Sequence, residues 1–293
     1  MALFARDTQG VGELAQLASQ ELLRDYSLEI TAKDIANFTE AAPHLARGTA
    51  VSITFLPGDE PDMRVSTAAA VRKLGFEPVS HISARRLRSS EELETFLARL
   101  TGEAGVNRVF VVAGDPPQPE GPYEDALSII RTGLLEKYGI RRVGISGYPE
   151  GHPDISDDTL WRALKDKHAA IREAGHEVDI TTQFGFDAEP VLAWLERVRQ
   201  EGIDARVRVG IAGPTSVKTL LRYAARCGVG ASAKVMSKYG TSILNLLNTA
   251  GPDRIVEEFA ASLDKTRHGD VTVHFYPFGG VKKTAEWIRN FAG

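Results

Sequence analysis

The segment Tyr148-Pro149-Glu150-Gly151-His152-Pro153 directly follows the β-rich run Arg142-Val143-Gly144-Ile145-Ser146-Gly147. A strand that ends in Tyr, Glu and His between two prolines delivers polar groups to a stiff loop, because proline fixes φ and has no amide to donate. Asp115 has a similar setting, after Val111-Val112-Ala113-Gly114 and before Pro116-Pro117. Glu29 differs, standing inside an apolar run between Leu28 and Ile30. A carboxylate there is costly to bury unless it is paired or protonated. That makes Glu29 a candidate acid with a raised pKa, able to give up a proton near neutral pH. The plainer alternatives are an ion pair or an outward-facing position for Glu29, an ordinary turn for Asp115, and hydrogen-bonded structural roles for His81 and His152.

Other chemistries lack their motifs. No helical histidine pair or other metal-ligand cluster occurs, and the single cysteine, Cys227, rules out an internal disulfide and any multi-cysteine metal site. Gly228-Val229-Gly230 lacks the later glycine of a dinucleotide fingerprint, and neither a Walker lysine nor a Gly-x-Ser-x-Gly elbow is present. Lys234 is a weak candidate for Schiff-base chemistry. Arg85, Arg86 and Arg88 read as a solvated loop rather than a phosphate clamp.

The elements that must position these groups follow from hydrophobic periodicity. Strand-like runs are expected at Tyr26–Ile30, Ala50–Phe55, Glu77–Ile82, Arg108–Ala113, Arg142–Ser146, Val178–Thr182, Arg206–Ile211 and Val271–Tyr276. Amphipathic helices are expected at Ala32–His44, Ser66–Leu74, Ser90–Leu100, Tyr123–Tyr138, Asp157–Ala174, Glu189–Glu201, Val217–Cys227 and Val281–Phe291. Ser89-Ser90-Glu91-Glu92 reads as a helix start, and Gly175 and Gly202 as stops. A lead-in helix is expected over Gly12–Arg24. Ser232–Leu263 breaks the alternation and reads as extra helices, with no strand, before the last strand. Strict β/α alternation implies parallel strands with right-handed crossovers, and eight repeats imply a (β/α)8 TIM barrel. A doubly wound sheet is the alternative fold. The expected organisation is one barrel domain over residues 1–293.

The chain has 293 residues, 43% hydrophobic and 25% charged, which suits a barrel of that size. Its formal net charge of -4 gives no global attraction to nucleic acid or to an anionic membrane. No apolar run is long enough to span a bilayer and the N-terminus has no signal-like apolar stretch, so a cytoplasmic protein is expected. The leucines of Ser242–Leu247 could pack on the barrel or form a contact in a homo-oligomer.

The chain resembles the methylenetetrahydrofolate reductase family in three segments of matching order and spacing. These are Gly114-Asp115-Pro116-Pro117, Tyr148-Pro149-Glu150-Gly151-His152-Pro153, and Thr182-Gln183-Phe184-Gly185-Phe186-Asp187. The resemblance implies a (βα)8 barrel that passes a hydride from NAD(P)H through FAD to methylenetetrahydrofolate, giving 5-methyltetrahydrofolate. By resemblance, Glu29 is the acid that protonates N10, and Asp115 holds the pterin and stabilises nearby positive charge. Gln183, with Phe184, contacts the folate or nicotinamide. Thr54, His81, Ala113, Gly114, Asp115, Tyr148, His152 and Lys167 fall where the family contacts FAD.

Several positions depart from the family pattern. Glu29 is followed by Ile30-Thr31-Ala32-Lys33 rather than an aromatic and proline run. Ala113 replaces an arginine, Gly185 replaces an aromatic, and Phe278-Gly279-Gly280 lacks an arginine that Lys282 only partly replaces. Lys167 lies about one turn farther from Ala174-Gly175 than is usual for the family. These departures fall mainly on the flavin side. Direct hydride transfer from NAD(P)H without a flavin is therefore the alternative enzyme reading. A tetrahydrofolate-binding barrel that transfers methyl groups, or has no catalytic activity, is the alternative of a different class.

Overall fold

The structure is a computed structural model that describes residues 16–227 and 249–292. Eight parallel strands close into a barrel: β1 (Ser27–Thr31), β2 (Ala50–Thr54), β3 (Glu77–Ser83), β4 (Arg108–Val112), β5 (Arg142–Gly147), β6 (Glu177–Phe184), β7 (Arg206–Ala212) and β8 (Val271–Tyr276). Each strand pairs with its sequence neighbours, and β8 closes the ring onto β1 with Ser27 opposite His274 and Leu28 opposite Phe275. The expected (β/α)8 architecture is the observed one, and the doubly wound alternative is set aside.

Strand geometry sends alternate residues to opposite sides of the sheet. Along β1, Leu28 and Ile30 are buried in the layer between strands and helices, while Ser27, Glu29 and Thr31 take the other face. Val51, Ile53, Val109, Val111, Val143, Ile145, Val207, Val209, Val273 and Phe275 join the same apolar layer. This layer, where the helices cover the sheet, is the main hydrophobic core. The barrel axis is far more polar. Glycine shapes it at Gly144, where a Cβ would lie 2.6 Å from the Phe110 ring.

The helices that cover the sheet are α1 (Ile35–Ala41), α2 (Pro61–Lys73), α3 (Ser90–Ala104), α4 (Ala126–Ile130), α5 (Leu134–Lys137), α6 (Asp157–Glu173), α7 (Ala188–Gln200), α8 (Val217–Cys227), α9 (Asp253–Ser262), α10 (Lys265–His268) and α11 (Val281–Ala292). Ser89 caps α3 by accepting the Glu92 amide hydrogen, as its position suggests. Three expectations need correction. The helix expected over Tyr123–Tyr138 is two short ones, because Gly133 takes a left-handed φ of 71° between them. The helix expected from Ser66 starts five residues earlier, at Pro61, since the first helical turn needs no proline amide. The segment expected to hold no strand contributes Thr249–Ala250, which pairs antiparallel with Thr215–Ser216.

The lead-in helix is present over residues 16–22, and its earlier part lies outside the described residues. Lys234, the leucines of Ser242–Leu247 and the side chain of Cys227 also lie outside them. No helix among the described residues is long and apolar enough to cross a membrane.

Candidate active site

The barrel interior ends in two different ways. At the N-terminal ends of the strands, Asp179 lies 3.5 Å from Arg142 and 3.3 Å from Arg208. Arg208 also donates to the Asp25 carbonyl at 2.8 Å, and Arg206 pairs with Asp25 and with Asp270. Charge there is matched by charge, which is how buried ions are tolerated. Above this floor lies a small cavity of about 30 Å³ on the barrel axis, lined by residues of all eight strands, including Ser27, Ser52, Arg208 and His274.

At the C-terminal mouth the pairing is incomplete. The Glu29 side chain is 22% exposed, and burial pushes its carboxyl up to about 7. The Thr54 hydroxyl opposes that rise, and the negative charge of Asp34 adds to it. Asp34 is itself held by the Thr31 amide and hydroxyl, at 2.9 and 2.7 Å. The histidine facing Glu29 gives it no compensating charge. His274 is 3% exposed, its Nε2 lies 4.0 Å from Glu29 Oε2, and burial pushes it down to about 3, helped by Arg208 and His81. It is therefore neutral at working pH. His81 is also pushed down to about 3, by burial and then by Arg64, and its ring lies 4.8 Å from that of Phe110.

Asp115 is on the loop after β4, where Gly114 adopts φ 94° and a Cβ would stand 3.3 Å from that of Ser83. The preceding Ala113 carbonyl accepts the Arg85 amide hydrogen at 2.9 Å. The Asp115 carboxylate is 65% exposed and takes two hydrogen bonds from Arg86, at 2.9 and 2.6 Å. The Arg85–Arg88 cluster is thus more than a solvated loop. Arg86 is only 16% exposed, and the Arg85 side chain donates to the Glu124 and Pro116 carbonyls.

Tyr148 and His152 meet edge to face at 5.5 Å, and His152 Nδ1 accepts the Asp154 amide hydrogen at 3.1 Å. Tyr148 borders a cleft of about 450 Å³ that also involves Trp161, Trp194 and Arg197. Lys167 does not line that cleft. It lies on α6, which packs against α4, and burial pushes its amine down to about 8, partly offset by Asp125 at the start of α4.

Gln183 sits where the β6–β7 register shifts, with its side-chain carbonyl accepting the Phe184 amide hydrogen at 3.1 Å. Phe184 is 1% exposed and packs edge to face with Phe186, Tyr276 and Phe278. It supports the aromatic wall from behind. Phe278 in turn stacks on Tyr223, with ring centroids 4.0 Å apart. The mouth therefore gathers Glu29 and Thr54 on adjacent strands, with His81 on the next. Asp115, the Tyr148–His152 pair and Gln183 follow around the rim, while Lys167 stands apart on the helix layer.

Sequence reasoning missed Ser27 and His274, and it read Arg86 as part of a solvated loop. His274 could have been noticed as a lone histidine within the apolar last strand, Val271–Tyr276. Its partners are distant in sequence: Ser27 Oγ is 2.8 Å from His274 Nδ1 across 247 positions. Among the described residues no group of His, Cys, Asp and Glu is arranged to hold a metal ion.

The profile of a family described as methylenetetrahydrofolate reductase matches residues 23–290. The chain is 29% identical over 171 residues to methylenetetrahydrofolate reductase 2 of Saccharomyces cerevisiae, covering 55% of this chain and 27% of that protein. It is 27% identical over 162 residues to 5,10-methylenetetrahydrofolate reductase of Pectobacterium carotovorum, covering 54% of this chain and 50% of that protein. The same-named protein of Salmonella typhimurium is 26% identical over 237 residues, covering 77% and 74%. The match thus spans about a quarter of the yeast protein and half of the Pectobacterium one. With nearly its whole length matched by the family profile, the chain belongs to the methylenetetrahydrofolate reductase family.

Proposed function

We propose that this protein reduces 5,10-methylenetetrahydrofolate to 5-methyltetrahydrofolate with electrons from NAD(P)H, with Glu29 as the general acid. The observation that supports this reading is a carboxyl at the barrel mouth held near pH 7 by burial. Opening the folate's five-membered ring breaks the bond between N10 and the methylene carbon. N10 leaves when it is protonated, and the remaining 5-iminium cation accepts the hydride to become the methyl group. An acid with a pKa near the working pH is still protonated and yet gives its proton readily.

The other mouth residues suit binding and charge. Asp115 places a carboxylate beside the cationic intermediate, with Arg86 fixing its orientation. Gln183 uses its carbonyl on the Phe184 amide, which leaves its NH₂ to donate to a ring acceptor. Tyr276 and Phe278 offer an aromatic wall for a planar ring.

The residues at the mouth also fit a flavin. Gly114 bends the backbone at φ 94° with no side chain in the way. Thr54, His81, Ala113, Gly114, Asp115, Tyr148 and His152 would hold FAD, without Lys167, which stands on the helix layer. FAD, when bound, would carry the hydride from NAD(P)H to the folate. The second reading, direct transfer without flavin, is favoured by Ala113, which supplies no cation, and by Lys167, whose charge is supported by Asp125 on the helix layer.

The test combines an absorption spectrum with an assay. Flavin absorbance in the purified protein supports the first route, and a colourless active protein supports the second. Folate-dependent oxidation of NAD(P)H should collapse in Glu29→Gln while folate binding survives. A wild-type protein that binds folate but reduces no methylene group would identify a binding or methyl-transfer barrel instead.

A further inference from the structure

We infer that His274 is a positioning residue for Glu29: its Nε2–H faces Oε2, keeps the acid's proton on the other oxygen, and receives the carboxylate that forms when the proton leaves. The role of that proton rests on the reductase reading. The arrangement of Ser27, His274 and Glu29 does not depend on that reading.

The geometry begins with Ser27. Its Oγ lies 2.8 Å from His274 Nδ1, and both side chains are buried, at 2% and 3%. A serine hydroxyl that donates to Nδ1 leaves the proton of the neutral ring on Nε2. That nitrogen is 4.0 Å from Glu29 Oε2, about 1 Å beyond a hydrogen bond, so a small side-chain adjustment would complete the contact. Ser27 and Glu29 lie on one face of β1, and His274 comes from the adjoining β8. Ring closure between the first and last strands thus brings the three groups together.

A neutral donor suits an acid better than a cation would. A charged imidazolium at this distance would drive Glu29 into its carboxylate before substrate arrived. A neutral N–H interacts weakly with the protonated acid and more strongly with the anion, so its help appears as the proton departs. The neighbours favour neutrality. Arg208 on β7 and His81 on β3 oppose charging of His274, while Glu29 is faced by Thr54 from β2 and Asp34 from the turn after β1.

The test uses the full chain with ¹³C-labelled glutamate. The Glu29 carboxyl signal is assigned by its absence in Glu29→Gln and titrated without substrate, alongside the pH dependence of kcat. In His274→Leu, the Glu29 titration and the high-pH fall of kcat should both move up by roughly one unit. There kcat should drop roughly 10- to 100-fold, the range for a hydrogen bond to a charged group, with KM for folate unchanged. His274→Gln, which restores an N–H donor, should recover most of both. Ser27→Ala should move both in the same direction by less, and it decides the matter if His274→Leu does not fold. A Glu29 titration unmoved in the folded variants would overturn the inference even if the enzyme is active. A titration that moves in a protein with no reductase activity would instead remove the reductase reading and leave the positioning intact.

Discussion

The floor and the mouth of this barrel are built from the same eight strands, yet they treat charge in opposite ways. At the floor, Arg142, Arg206 and Arg208 meet Asp25, Asp179, Glu177 and Asp270 in direct contacts. At the mouth, Glu29 faces a neutral histidine 4.0 Å away, with the Thr54 hydroxyl opposing the rise of its pKa. A matched network contributes to one folded arrangement, whereas an unmatched acid keeps a proton available. The contrast suggests that the strands' N-terminal ends serve stability and their C-terminal ends chemistry, the division of labour general to this fold.

The sharpest way to break this comparison is at Glu29. Glu29→Gln should lower turnover by roughly 10²- to 10⁴-fold, the contribution of a positioned acid. It should also stabilise the fold at alkaline pH. With the folded carboxyl near 7 and the unfolded one near 4.5, the native state binds the proton more tightly. Stability therefore falls as pH rises from about 4.5 to 7 and levels off above. At pH 8 the variant should gain roughly 2–3 kcal/mol, and at pH 4 almost nothing, as read by chemical denaturation at both pH values. A mutation that costs activity and adds stability marks a site strained for function.

The floor should respond in the reverse sense. Asp179→Asn leaves the buried Arg208, and Arg142 with it, short of a counter-charge, which should cost roughly 3–5 kcal/mol in denaturant unfolding. Activity per folded molecule should be unchanged. A large loss of turnover with little loss of stability would mean that floor and mouth are not separable.

Smaller effects sharpen the description of the mouth. Arg86→Leu should raise the KM for folate by roughly two- to fivefold, because the exposed Asp115 loses its orientation but little folding energy rests on the pair. Thr54→Val removes a group that lowers the Glu29 pKa, so the high-pH fall in activity should move upward, by less than in His274→Leu.

Much of the architecture was legible in the sequence because strand and helix periods are local. Arg206–Ala212 and Val271–Tyr276 appear within one residue of their expected bounds. Errors came where one residue overrides a pattern, as Gly133 does in dividing a helix and Pro61 in opening one. In the site, Glu29, Asp115 and Gln183 could be picked out as polar groups at strand ends. Their partners could not. Arg86 looked like part of a loop cluster, and His274 reaches Ser27 only because the barrel closes. Strand ends are written locally, but the contacts that tune a side chain's proton depend on ring closure.

The most direct measurement is the pH dependence of NAD(P)H-driven reduction of methylenetetrahydrofolate, in the wild-type protein and in Glu29→Gln. The wild-type rate should fall as pH rises through about 7, where Glu29 loses its proton. The residual rate of the variant should show no such fall. A wild-type profile flat through this range, or the same fall persisting in Glu29→Gln, would contradict the assignment of Glu29 as the acid.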